Sequence, residues 1–172
     1  MNEFIICSNK IKWRNDTESA SIELCYPVIF PSKPSLFSLR KESRQKRIEQ
    51  IVVPDEILKI FFKKDTLRII KGENRLVVNF NSRHNKRKVV FWNDKTMVSI
   101  DGDKVRNLPC PIKTILHGQE RIYLIPIAII MQQVHYYDVS YDMKQEKVIL
   151  VDRFNKFSFT KKDFPTLYPL PK

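Results

Sequence analysis

Glycine is scarce in this chain, 3 residues in 172. Gly72, Gly102 and Gly118 lie far apart, so no glycine-rich loop can wrap a phosphate. That excludes Walker-type and dinucleotide-binding sites. Cysteine is equally sparse. Cys7, Cys25 and Cys110 are odd in number and widely spaced, with no C-x-x-C pair. Free thiols are the simplest account, with a single Cys7–Cys25 bridge as the alternative in an exported protein. No run of about 18 apolar residues occurs, so no transmembrane helix is expected. The N-terminal MNEFIICSNKIKW carries Glu3 and only a short apolar run, which does not read as a signal peptide. A cytoplasmic or particle-associated protein is expected unless the sequence is a mature form.

Acidic residues are outnumbered: 19 Asp and Glu stand against 31 Lys and Arg, a formal net charge of +12. A basic surface attracts polyanions such as nucleic acid, anionic headgroups or acidic wall polymers. The competing explanation is compositional, since an AT-rich genome favours Lys and Asn codons. Apolar residues make up 42%, enough for a core, and the length fits one domain or two very small ones.

Groups for chemistry are also thin. His84, His117 and His135 are solitary, whereas a metal site needs clustered donors. Cys110 and His117, seven apart, would point to opposite faces of a regular strand. Asp101 with Asp103, and Asp138 with Asp142, read as turn formers rather than an acid-base pair. No enzyme, metal or cofactor is expected.

What the chain does have is strand patterning broken by two prolines. FIICSNKIKW (4–13) reads as a short strand, and SIELCYPVIF (21–30) as a strand broken at Pro27. Pro54 ends an extended stretch and suits the first turn of a helix, with Asp55 and Glu56 near its positive end. Pro126 repeats this before IAIIMQQ, which should bury Ile127, Ile130 and Met131. Polar turns at 72–74, 93–95, 101–104, 117–118 and 143–146 separate the remaining strands. The expected fold class is α+β: mostly antiparallel sheet with two short Pro-started helices. Aligning Pro54 with Pro126 lays 51–78 on 123–150, a tandem repeat of one β-α-β-β unit. The expected division is N-terminal strands and basic linker at 1–50, a first unit at 51–97, a second at 98–152 and a Phe/Pro-rich tail at 153–172. One compact domain is the alternative.

Residues 98–151 carry Asp101-Gly102, Pro109 with Pro111, His117-Gly118, Ile125-Pro126, Val139-Ser140-Tyr141-Asp142 and Val148-Ile149-Leu150. This series resembles the copper amine oxidase N-terminal-like, or stalk, module. Residues 51–78 would then be a degenerate second copy. The chain departs from the family pattern at Ala128, where an Arg is usual, and near Tyr136-Tyr137, where a Gly normally ends the helix. The resemblance implies binding or spacing rather than copper chemistry.

Two basic stretches are the candidate polyanion contacts: Arg40, Lys41, Arg44, Lys46 and Arg47, then Arg83, Lys86, Arg87 and Lys88. Trp92, Tyr136, Tyr137, Phe157 and Phe159 are candidates for stacking on bases, with core packing as the competing role. Phe157, Phe159 and Tyr168 are expected to touch a protein partner or second copy. Two functions follow as expectations. One is a non-catalytic binding or assembly module of an envelope, coat or multi-subunit particle. The other is a basic nucleic-acid-associated accessory protein, viral in one version.

Overall fold

A computed structural model of the chain describes residues 1–24, 26–32, 44–62, 66–81, 86–102, 104–152, 154 and 157–164. The strands are β1 (Asn2–Ile6), β2 (Lys10–Arg14), β3 (Ser19–Glu23), β4 (Val52–Pro54), β5 (Leu67–Lys71), β6 (Arg75–Asn81) and β7 (Lys86–Trp92). Then come β8 (Met97–Ile100), β9 (Lys104–Asn107), β10 (Lys113–His117), β11 (Glu120–Pro126), β12 (Asp138–Asp142) and β13 (Lys147–Asp152). The helices are short: α1 (Arg44–Ile48), α2 (Leu58–Phe61) and α3 (Ile127–Gln133), with 3-10 turns at Asp55–Ile57 and Lys161–Asp163. The fold is α+β and mostly antiparallel sheet. Among the described residues no helix is long and apolar enough to cross a membrane.

Local chemistry accounts for many of these boundaries. FIICSNKIKW is a hairpin rather than one strand, because Ser8 and Asn9 turn the chain and the Cys7 amide bonds to the Lys10 carbonyl at 2.8 Å. The Asn15 side chain closes the next turn by accepting from the amides of Thr17 and Glu18. At Gly118, φ is +63°, a conformation that glycine enters without a Cβ penalty, and it joins β10 to β11. Pro54 (φ −60°, ψ 137°) and Pro126 (φ −67°, ψ 114°) have similar extended geometry, and each leads directly into helical turns.

The strands form three sheets. Sheet I runs β12-β13-β1-β2-β3, sheet II β10-β11-β4 and sheet III β5-β6-β7-β8-β9. In sheet II, β4 lies antiparallel to β11, with Val52 opposite Pro126, Val53 opposite Ile125 and Pro54 opposite Leu124. Exchange the two units by the shift that carries Pro54 onto Pro126, and the same three pairs return. The correspondence continues past the helices. In sheet III, Phe91 of β7 stands opposite Leu76 and Val98. In sheet I, Ile6 of β1 stands opposite Val148 and Ile11. Leu76 and Val148 are equivalent under the same shift. The N-terminal β1, β2 and β3 therefore complete the sheet that β12 and β13 begin, just as β7, β8 and β9 complete the sheet begun by β5 and β6.

Inner faces of all three sheets feed one core, which contains Phe4 and Trp13 of sheet I, Ile125 of sheet II and Phe80 and Phe91 of sheet III. Its centre is aromatic. Phe4 meets Phe61, Tyr137, Phe159 and Phe164 edge-on at ring-centroid distances of 5.1–6.0 Å. The Tyr137 hydroxyl donates to the Phe61 carbonyl, tying the end of α2 to the chain after α3.

Phe157 and Phe159 belong to this core. Each is 6% exposed, so the partner-facing role expected for them is corrected. The cause is a pair of polar anchors. The buried Asp152 carboxylate accepts the Phe157 amide at 3.2 Å, and the Asn2 side chain donates to the Phe157 carbonyl at 2.9 Å. Fastened there, the backbone turns both rings inward, while Phe154 is left 81% exposed. Tyr136 and Tyr137 are buried as well. Tyr168, the third expected partner contact, lies outside the described residues.

Candidate polyanion-binding face

Strand alternation sorts the side chains of sheet III between two faces. Leu76, Val78, Phe80, Val89, Phe91 and Val98 point to the core and are buried. The opposite face carries Arg68 and Ile70 from β5, Arg75, Val77, Asn79 and Asn81 from β6, and Lys86, Lys88, Val90 and Trp92 from β7. Met97 and Ser99 of β8 and Val105 and Asn107 of β9 complete it. Among these described strand positions there are four cations and no carboxylate.

The register arranges them in rungs. Arg68 stands opposite Asn79, and Asn79 opposite Lys88. Asn81 pairs with Lys86, and Arg75 pairs with Trp92. Val77, Val90 and Ser99, in the middle of the face, are buried, so the reachable parts are its two ends. Arg68, Arg75, Lys86 and Lys88 are exposed. Trp92 is half-buried beside Arg75 on this outer face and is outside the buried core cluster, the competing role considered for it.

Sheet I provides an internal comparison. Its outer face carries Glu3, Glu23, Asp138 and Asp142 against Lys10, Lys12, Arg14 and Lys147. The charges balance, and Arg14 bonds Glu3 at 2.8 Å. The rung equivalent to Arg68–Asn79–Lys88 reads Asp138–Val151–Glu3. At this one rung the same backbone arrangement carries opposite charge in the two sheets.

An open groove of about 820 Å³ lies at the Lys86 end of sheet III. Arg68, Asn79, Asn81, Lys86 and Lys88 line it, together with Leu67, Phe80, Gly102 and the ion pair of Arg87 with Asp101, its one carboxylate among the described residues. Arg87 points to the other side of the strand and is held by Asp101 at 2.5 Å. The second Asp101 oxygen accepts the Lys88 amide at 2.9 Å. Asp101 (φ 56°) and Gly102 (φ 79°) form the tight turn that positions this clamp.

The sequence candidates therefore separate. Lys86, Arg87 and Lys88 gather at this groove. Arg44 and Arg47 line a different hollow beside β12, with Tyr141, Asp142 and Lys144, and Lys46 is exposed on the same short helix. Arg40, Lys41 and Arg83 lie outside the described residues. Sequence reasoning missed Arg68 and Arg75. Their signal was strand alternation with β7, but recognising it requires knowing that β5, β6 and β7 are neighbours.

A second charged cluster is internal. Lys71 reaches Asp55 at 2.8 Å, Glu56 at 2.6 Å and Glu120 at 3.1 Å. The other Asp55 oxygen accepts the Tyr123 amide at 2.9 Å, and the Tyr123 hydroxyl donates to the Gly72 carbonyl at 2.7 Å. Burial pushes the Asp55 carboxyl up to about 6, although Lys71 and the Tyr123 amide pull the other way. For Glu56, burial raises the value, but the bond and charge of Lys71 outweigh it and the net shift is downward. Burial alone would lower Lys71, and its two buried acids overcome this to raise it. One ammonium occupies the place where three carboxylates converge, so the cluster fastens the 3-10 turn after Pro54 to β5 and β11. Among the described residues, no group of three or more His, Cys, Asp or Glu is placed to hold a metal ion.

Compared with protein-family models, curated proteins and solved structures, the chain matches none.

Proposed function

We propose that this chain is a non-catalytic binding module that takes a polyanion, nucleic acid by preference, on the outer face of sheet III. One observation carries the reading: the rung Arg68–Asn79–Lys88 is cationic where its counterpart Asp138–Val151–Glu3 is anionic. Each of the two outer faces carries four described cations, but only sheet I sets carboxylates against them. The lack of carboxylates on the described strand positions of sheet III leaves the net charge on that face, and a one-sided basic surface is the electrostatic footprint of phosphate binding. The resemblance of 98–151 to stalk modules also points toward binding rather than catalysis.

A protein partner in an assembly is the second reading. The observation favouring it is the outer face of sheet I, where Ile5, Ile149 and Val151 sit half-buried among balanced charges. Mixed charge with an aliphatic centre suits a protein surface better than a phosphate backbone.

Titration of a fluorescent DNA oligonucleotide tests the first reading. With four phosphates neutralised, affinity falls by about a hundredfold between roughly 50 and 200 mM salt. Changing Arg68, Arg75, Lys86 and Lys88 together to Gln abolishes measurable binding. Changing Lys10, Lys12 and Arg14 of sheet I to Gln leaves most of it. Equal losses in both sets would mean that only total charge matters, and the assigned face would be wrong.

A further inference from the structure

We infer that the groove at the Lys86 end of sheet III takes unpaired nucleobases together with their phosphates, so that the ligand is a single-stranded polynucleotide; this rests on the polyanion reading above. The observation is what lies between the cations. β6 runs along the middle of the groove and offers the carboxamides of Asn79 and Asn81. β5 supplies Arg68 on one side, and β7 supplies Lys86 and Lys88 on the other. Phosphate alone needs only cations. A carboxamide presents a donor and an acceptor side by side, which matches the edge of a heterocyclic base. Two residues along one strand are about 7 Å apart, so Asn79 and Asn81 can meet successive bases of an extended strand.

Width argues against a duplex. Beside β5, β6 and β7, the turn that follows β8 adds a fourth backbone segment at this end, its Asp101 amide bonding to the Lys88 carbonyl. Four backbone segments about 4.8 Å apart span about 14 Å before side chains are added. The major groove of B-form DNA is about 12 Å wide and admits a helix or a two-stranded ribbon. A duplex would therefore meet this face through its phosphates only and leave the carboxamides unused. The volume of about 820 Å³ gives room for one or two nucleotides.

The test compares three labelled probes on the intact protein: a mixed-sequence 20-nucleotide single strand, the matching duplex, and inorganic polyphosphate of similar charge. The expected result is single-strand binding at least tenfold tighter than either of the others at equal salt. Asn79→Ala with Asn81→Ala should weaken the single strand about tenfold and leave polyphosphate unchanged. Asn81 is exposed and Asn79 half-buried on the outer face, and circular dichroism checks that the double variant is folded. If polyphosphate or duplex binds as tightly as the single strand, and the Asn changes alter nothing, the single-strand inference is overturned while the basic face stands. Binding of none of the three, or a preference for anionic phosphatidylglycerol vesicles, overturns both readings.

Discussion

Lys71 lies 2.8 Å from the fully buried Asp55, and it is the cation on which Asp55 and Glu56, the two acids after Pro54, both close. Without it, those two carboxylates would be held together in a largely dry site with Glu120 nearby. Lys71→Met keeps the aliphatic stem but leaves Asp55 without a cation and Glu56 with only the exposed Lys59 at 3.5 Å. Such a change at a buried pair costs about 3 kcal/mol or more, because the remaining charge stays buried. Urea unfolding of the two proteins measures it. A loss under about 1 kcal/mol would show that the cluster is not what holds the 3-10 turn to β5.

The same site sets a pH dependence. Asp55 is pushed from 3.8 to about 6 by burial, with Lys71 opposing. Its folded value lies above its unfolded one, so its favourable contribution is full below about pH 4 and is lost as pH rises through about 6. Asp55→Asn lacks this titration. Its stability relative to the native protein should therefore rise between pH 4 and pH 7, on the order of 2–3 kcal/mol. Glu56 is present in both proteins and largely cancels in the difference. A constant difference across that range would contradict the assigned shift.

Much of this architecture was readable from local pattern. The turns at 72–74 and 143–146, the proline-started helices and the shift between Pro54 and Pro126 all show in residue order, because each rests on neighbours in sequence. The pairing of β1 with β13 does not, since Phe4 and Leu150 meet only through the fold. Nor does the fate of Phe157 and Phe159. Alternation with Lys and Asn reads as exposed, and only the distant Asn2 amide, working with Asp152, explains why the rings turn inward. Asp55 and Glu56 were legible as helix-start residues, but Lys71 as their partner was hidden in a strand. The candidate site was half legible: the Lys86–Lys88 run declares itself, whereas Arg68 joins it through sheet register alone.

The inward turn has a measurable consequence. Phe159 packs on Phe4 at 5.3 Å and stacks on Phe164 at 5.8 Å. Phe159→Ala should cost about 3 kcal/mol or more through lost burial and a residual cavity. Thermal and denaturant unfolding report this directly. Were Phe159 a surface contact, the substitution would leave stability within about 0.5 kcal/mol of native.

Two glycines should behave differently for a reason visible at the backbone. Gly118 has φ +63° with open space around it, so Gly118→Ala meets no atom but forces an L residue into the left-handed region. A loss of about 1 kcal/mol is expected. At Gly72, φ lies outside that region and an added Cβ would approach the Arg75 carbonyl at an ordinary 3.5 Å. Gly72→Ala should therefore be neutral or slightly stabilising, by a few tenths of a kcal/mol. Equal losses at both sites would mean that the β10–β11 turn does not need the positive φ.

The equivalence of the two outer faces permits a test by transplantation. Arg68→Asp with Lys88→Glu gives the sheet III rung the charges its counterpart already bears at Asp138 and Glu3. Both changed residues are exposed strand positions, and sheet I tolerates acids at the same backbone sites, so folding should survive. Polyanion affinity should drop by at least a hundredfold, more than neutralising the same two residues to Gln produces, because repulsion replaces attraction. The reciprocal change, Asp138→Arg with Glu3→Lys, removes two acids from a balanced face and leaves net positive charge there. It should create weak, strongly salt-dependent binding in the rung-reversed background. If reversing sheet III has no effect, the phosphate contacts lie elsewhere on the chain, and the hollow beside Arg44 and Arg47 becomes the next surface to neutralise.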